Sequence, residues 1–290
     1  ATEQLLHSAY EQAVRRPVLN ALGRASGAAG DPAGTDNRPV FQAAFCIDVR
    51  SELFRRAVES AEPQAETLGF AGFFGFPIDY VRLGDAAGGA HCPVLLQPAY
   101  TIRESLVGAD DAGLTKVRRL RRAGFALSKG WKSFKLAAVS SFAFVETMGL
   151  TYLPKLATDT LGLSRPVPHP RTAALGGDTA ERLAPDLTPA KGEDGAVTGL
   201  NSDDRLALAE GALRGMSLAN GPFARLILLA GHGSTTVNNP HATGLDCGAC
   251  GGHTGEANAR VAAAVLNDPL VRDGLAKKGL QVPDDTVFVA

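Results

Sequence analysis

The sequence predicts an α/β protein, an open sheet with flanking helices plus a mainly helical insertion. Three observations predict it. Residues 41–47 and 225–230 are apolar runs of strand length. Each run passes into a polar segment and then a stretch with helical spacing, over 51–61 and 254–266. Between the two, residues 111–156 read as helix throughout. The chain accordingly divides into an N-terminal helix and linker (1–38), the first half of the core (39–110), a helical and irregular insertion (111–205) and the second half of the core (206–290).

Leu5, Leu6, Tyr10, Val14, Leu19 and Leu22 recur among charges, so residues 2–24 predict an amphipathic helix, interrupted near Pro17. Residues 23–38, rich in Gly, Ala, Pro and Asp, read as linker. The strand at 41–47 carries Cys46, Asp48 and Arg50 at every second position, on one face while strand geometry lasts. The carboxyl end of a strand is where open α/β sheets bind ligands. An Asp and an Arg held there make a charge pair that can open and close. Ser51 is expected to cap the helix over 51–61.

Glu66 opens a second strand. The segment Phe70-Ala-Gly-Phe-Phe-Gly-Phe-Pro77 is an aromatic-glycine loop that either walls a small pocket or plugs the core. The plug is expected, because Phe is usually interior. His91-Cys92 is a tempting ligand pair, but no third ligand lies near it in sequence, so Cys92 is expected to be structural.

Lys116, Arg118, Arg119, Arg121, Arg122, Lys129, Lys132 and Lys135 make 116–135 strongly basic, and the apolar run 136–145 follows directly. Such a pair of segments can face a membrane or an acidic partner, or be a solvated helix leading into a buried one. The apolar run is too short to span a bilayer. Residues 162–204 read as a long irregular excursion, and 203–217 as a helix entering the strand at 225–230.

With 290 residues there is enough chain for one large or two modest domains. A net charge of −1 gives no electrostatic case for nucleic acid. Four cysteines in this length are no disulfide scaffold and suit a reducing compartment, where thiols serve metals or catalysis. The first residues have no basic region followed by an apolar one, so a secretory signal is not expected.

The strand ends carry the chemistry. Cys46 follows one strand. Gly231-His232-Gly233-Ser234 follows the other, and Leu245-Asp-Cys247-Gly-Ala-Cys250-Gly-Gly-His253 comes after it. Two thiolates and an imidazole are a donor set that zinc selects, with a fourth position for water or a carboxylate. A closed structural site from Cys46, His232, Cys247 and Cys250 is a second reading, with the chain as a binding module. Cys247-Gly-Ala-Cys250 ahead of a helix is also compatible with a thiol–disulfide oxidoreductase, though that leaves Cys46-x-Asp48-x-Arg50 unexplained. His7 and His169 are expected to face solvent. His241 and His253 flank the Cys pair, where they can support a ligand, relay protons or simply be exposed.

Cys46-x-Asp48-x-Arg50 after an apolar strand, with a later His and Cys, resembles the zinc site of β-type carbonic anhydrases. It departs in spacing, since His232 and Cys247 are 15 residues apart here and the pair is close in that family. A wider match resembles the DabA-type subunit of bacterial inorganic-carbon accumulation complexes. It rests on Phe45-Cys-Ile-Asp-Val-Arg-Ser-Glu52, Glu66-Thr-Leu-Gly-Phe-Ala-Gly-Phe-Phe-Gly75, Cys92-Pro-Val-Leu-Leu, Gly231-His-Gly-Ser234, Asn238-Asn-Pro240, Leu245-Asp-Cys-Gly-Ala-Cys-Gly-Gly252 and Asn258-Ala-Arg260. The resemblance implies a β-carbonic-anhydrase-like core in which Cys46, His232 and Cys247 hold Zn²⁺. Asp48 then either takes the fourth zinc position or pairs with Arg50 and leaves that position to water. It implies hydration of CO₂ to bicarbonate. It also implies a membrane partner, an antiporter-like proton-translocating subunit of the DabB type, and a peripheral place on the cytoplasmic face of the bacterial inner membrane. Members of that family are much longer than this chain.

Overall fold

The structure, a computed structural model, describes residues 2–28, 38–47, 50–163, 172–191, 197–233 and 248–290. It separates into two compact units, Ala1–Arg38 and Pro39–Ala290.

Among the described residues the first unit holds one helix, α1 (Thr2–Ala28), which runs through Pro17. The interruption expected at Pro17 does not occur, and helix extends into the segment read as linker. Ala21, Ala25 and Ala28 are strong helix formers and favour that extension. Leu5, Leu6 and Tyr10 on this helix are exposed.

Among the described residues the second unit holds two sheets where the sequence suggested one. The first sheet has four parallel strands in the order β10 (Val287–Val289), β9 (Leu226–Ala230), β1 (Gln42–Cys46), β2 (Glu66–Phe70). β1 is central, and all five of its residues are buried. That is the burial a continuous apolar run signals in a parallel sheet. From β1 the chain crosses through α2 (Ser51–Ala61) to β2 on one side. From β9 it crosses through α8 (Glu256–Leu266) and α9 (Pro269–Lys277) to β10 on the other side. The crossovers diverge between β9 and β1, so the carboxyl ends of these two strands flank a topological switch point.

Strand positions at 41–47, 66 and 225–230 and the helix over 51–61 agree with the sequence reading. The cap does not. Arg50 holds the N-cap position, without a side-chain cap bond, and Ser51 is the first helical residue.

The second sheet is mixed, in the order β4 (Gly89–His91), β3 (Ile78–Val81), β5 (Tyr100–Leu106), β8 (Val197–Thr198), β7 (Ala190–Lys191), with β6 (Leu183–Asp186) also paired to β5. Three of its strands come from the segment read as insertion. The helices of that segment are α3 (Asp111–Leu136), α4 (Ser141–Met148), a 3₁₀ turn (Gly149–Tyr152), α5 (Leu153–Thr160) and the short α6 (Gly177–Glu181). The helix expected over 111–156 is therefore broken. At the first break the Ser140 hydroxyl donates to the Phe134 carbonyl (2.7 Å), a local bond that competes with the helical ladder.

Side chains from both sheets, α7 (Ser202–Gly215) and α8 form one core that includes Ala44, Ile78, Ile102, Leu213, Ile227 and Leu266. α8 touches β9 and β10 of the first sheet and β6 of the second. Phe74 and Phe76 of the aromatic-glycine loop are wholly buried in this core, as the plug reading expects.

Candidate metal centre

Cys46 ends β1, and its side chain is fully buried. Cys250, also fully buried, sits in a 3₁₀ turn (Gly248–Cys250) ahead of α8. The two sulfurs lie 3.7 Å apart. That is far beyond a disulfide's roughly 2.05 Å. It matches the roughly 3.8 Å edge of a tetrahedron with zinc–sulfur bonds of about 2.3 Å. Gly72, in the aromatic-glycine loop, lies against both sulfurs, and any Cβ there would overlap them.

His232 follows β9, whose register sets Ala230 beside Phe45 of β1. Its ring Nε2 lies 3.0 Å from the Cys46 carbonyl. A carbonyl only accepts, so Nε2 donates this bond, and in the neutral ring Nδ1 is then the acceptor nitrogen. This is how metal-binding imidazoles are commonly oriented. Gly255, just before α8, donates its N–H to the His232 carbonyl (3.1 Å) and so ties the ends of the two segments together.

Of the residues read as ligands, the structure thus brings Cys46 and His232 together, with Cys250, a ligand in the closed-site reading, beside Cys46. Asp48 and Cys247 lie outside the described residues, as do His169 and His241. Arg50 is exposed at the start of α2. Among the described residues no group of three or more His, Cys, Asp or Glu is disposed to hold a metal ion. The thiol pair and the oriented imidazole are nevertheless donors of the type zinc takes, so this part of the set fits the group.

Cys92 behaves as the structural cysteine expected. It is buried, its thiol donates to the Leu96 carbonyl (3.6 Å), and burial pushes its pKa up. Its neighbour belongs to a feature that sequence reasoning missed. His91 stacks on His253, with ring centroids 4.3 Å apart and planes 17° from parallel. His91 is buried, and among the described residues its Nδ1 has no hydrogen-bond partner. Burial first, and the His253 charge second, lower its pKa to about 4, so it is neutral at physiological pH. His253 is exposed in outline but partly desolvated, which lowers its pKa. Arg82 adds to that effect and Asp79 opposes it. Asp79 is itself raised by burial, against the pull of Arg103 and His253. No spacing rule links residue 91 to residue 253, so only the fold reveals the pair.

Fold and site together define an α/β protein with a buried cysteine pair and a histidine at the switch point of a parallel sheet. The family is given by comparison. The model for "Probable inorganic carbon transporter subunit DabA" matches residues 1–290, and the chain belongs to the DabA family. It is 60% identical over 291 residues to "Probable inorganic carbon transporter subunit DabA 1" of Bradyrhizobium sp. (strain BTAi1), covering 100% of this chain and 34% of that protein. It is 56% identical over 290 residues to the subunit of the same name from Roseiflexus sp. (strain RS-1), again 100% of this chain and 34% of the relative. With the Chloroflexus aurantiacus (strain J-10-fl) subunit it shares 54% over 286 residues, 99% of this chain and 33% of the relative. The chain spans about a third of the length of the curated relatives it matches. No solved structure matches it.

Proposed function

We propose that this chain is the zinc-binding part of an inorganic-carbon transporter subunit, and that it hydrates CO₂ to bicarbonate in the manner of a β-type carbonic anhydrase. The observation that carries the reading is the convergence of Cys46 and His232 at one switch point, with the imidazole Nε2–H held by the Cys46 carbonyl. Cys46, His232 and Cys247 would hold Zn²⁺, with Asp48 at or beside the fourth position. Zinc supplies Lewis acidity that brings the pKa of water at such a site to about 7. Paired with Arg50, Asp48 would stay ionised and leave the fourth position to water. The buried Cys250 thiol sits behind the Cys46 sulfur.

The subunit name carried by the relatives supports a larger assembly. In this proposal the partner is an antiporter-like, proton-translocating membrane subunit of the DabB type. The chain then lies peripherally on the cytoplasmic face of the inner membrane.

One observation favours a second reading. The 3.7 Å between the Cys46 and Cys250 sulfurs suits a closed Cys₃His zinc with no open position. The thiol–disulfide alternative pairs Cys250 with Cys247, which lies outside the described residues; among the described residues the sulfur beside Cys250 is that of Cys46. Zinc content of two variants separates the first two readings. Cys247→Ser is expected to lose zinc while Cys250→Ser largely keeps it, because losing a ligand costs more than the roughly 10–100-fold of a supporting change. Equal loss in both variants supports the closed site and removes the hydration mechanism. A second variant examines the carboxylate switch. Arg50→Ala should retain zinc and lose turnover and anion binding, and undiminished anion binding would count against the Asp48–Arg50 pair.

A further inference from the structure

α3 is two helices in function. Its first half is docked. Leu114 and Val117 pack on the buried cluster of Leu83, Leu106 and Leu183. The wholly buried Arg121 donates to the Leu83 carbonyl (2.9 Å) and to Glu104 (3.2 Å), and Arg122 donates to the Gly84 carbonyl (2.9 Å). Gly124 still lies against Ala174, and beyond Phe125 the helix projects. Leu127 is 76% exposed and Leu136 75%.

The projecting half carries the helices that follow. Phe144 of α4 is buried in an aromatic cluster with Trp131, Phe134 and Tyr152. Lys135 lies over the Tyr152 ring at 5.3 Å. Apart from Phe144 and the half-buried Met148, α4 and α5 turn their apolar side chains outward. Val139, at the bend between α3 and α4, is 94% exposed, and Phe142 is 77% exposed. Among the described residues no single helix is long and apolar enough to cross a membrane, and the helices on either side of the bend meet at 97°.

Charge selects the occupant of this face. No acidic residue occurs between Asp111 and Glu146, while Lys129, Lys132 and Lys135 recur at helical spacing beside Trp131 and Phe134. Exposed Phe, Val and Leu next to lysines and an aromatic cluster is the make-up of segments that lie in a headgroup layer, with the apolar side in the acyl boundary and the cations on anionic phosphates. We infer that residues 127–163 form a docking arm for the surface of an anionic phospholipid bilayer, with Val139 and Phe142 entering the acyl boundary and Lys129 and Lys132 meeting the headgroups. The inference rests on the transporter reading only in expecting a membrane nearby, and it is independent of the zinc chemistry.

Flotation of the full-length protein with vesicles of phosphatidylcholine, alone or mixed with phosphatidylglycerol, tests it. Zinc content measured on the same samples keeps the two readings separate. Binding is expected with phosphatidylglycerol present, and it should weaken roughly tenfold or more in Lys129→Glu/Lys132→Glu and in Val139→Asp/Phe142→Asp. All four positions are exposed, so circular dichroism should be unchanged. Residues 127–163 should also be protected from hydrogen exchange by the mixed vesicles. Absence of flotation, flotation that ignores phosphatidylglycerol, or variants that float as well as the parent each overturn the inference. Protection of 127–163 by a protein subunit but not by vesicles would give the face to that partner instead.

Discussion

α8 and α4 are both short and largely apolar, and they end in opposite environments. α8 buries eight of its eleven residues, whereas α4 buries Phe144 alone. The difference lies in what surrounds them and in side-chain size. α8 is built mostly from Ala and Val, small enough to let it lie against strands of both sheets. α4 offers Phe142 and Val145 to a side where the described chain supplies no counterpart layer. Apolar composition thus identifies a surface that avoids water, and only the topology says whether the chain itself provides the cover.

Four substitutions test whether the two helices differ in this way. The largest effect is expected at Glu104, which joins α8 to the docked half of α3. Its carboxylate takes bonds from Arg121 (3.2 Å), Arg260 (3.4 Å), the Tyr80 hydroxyl (3.3 Å) and the Leu83 N–H (3.0 Å). Glu104→Ala strands a buried guanidinium and should cost about 3–5 kcal/mol in urea unfolding. Next is Leu266→Ala in α8, wholly buried, at about 2–5 kcal/mol by the same measurement. A loss below 1 kcal/mol there, on the order of a surface change, would dissolve the contrast between the helices.

The third effect depends on pH. His91 has a folded pKa of about 4 against the ordinary 6.5. The unfolded chain therefore binds the proton first. The stability that neutral His91 contributes is complete above pH 6.5 and falls as pH drops toward 4, in total on the order of 3 kcal/mol. In His91→Phe most of that slope should vanish, leaving the smaller one from His253. A parent-like slope would mean that other groups produce it. The smallest effect is expected on the arm. Val145→Ala should stay within about 0.5 kcal/mol, and a cost above roughly 2 kcal/mol would place α4 in a core.

Much of the first sheet was legible because its strands are short apolar runs closed by polar residues. The residues Cys46 and His232 could be paired from the sequence because each follows such a run. The second sheet was not legible. β3 and β5 contain Asp79, Arg103 and Glu104, which break the apolar pattern, and β7 and β8 are only two residues long. Arg121 was indistinguishable from its basic neighbours, since nothing in a run of cations marks the one that turns inward. Cys250 was read either as a ligand of a closed site or as half of a redox pair with Cys247; its sulfur lies beside that of Cys46, a contact that Gly72, far away in sequence, makes room for.

The Glu104 cluster also acts as an index mark. A slide of α3 by one turn would bring Val117 or Phe125 to the place of Arg121, leaving a buried carboxylate short of a cation. Arg260 cannot make up the loss, because it is committed to the Leu183 carbonyl as well as to Glu104. Such a misplaced helix would forfeit about 3–5 kcal/mol, a large part of a domain's stability. One setting of α3 on the sheet is therefore strongly preferred, and the direction in which its far end points is written in the position of a single carboxylate.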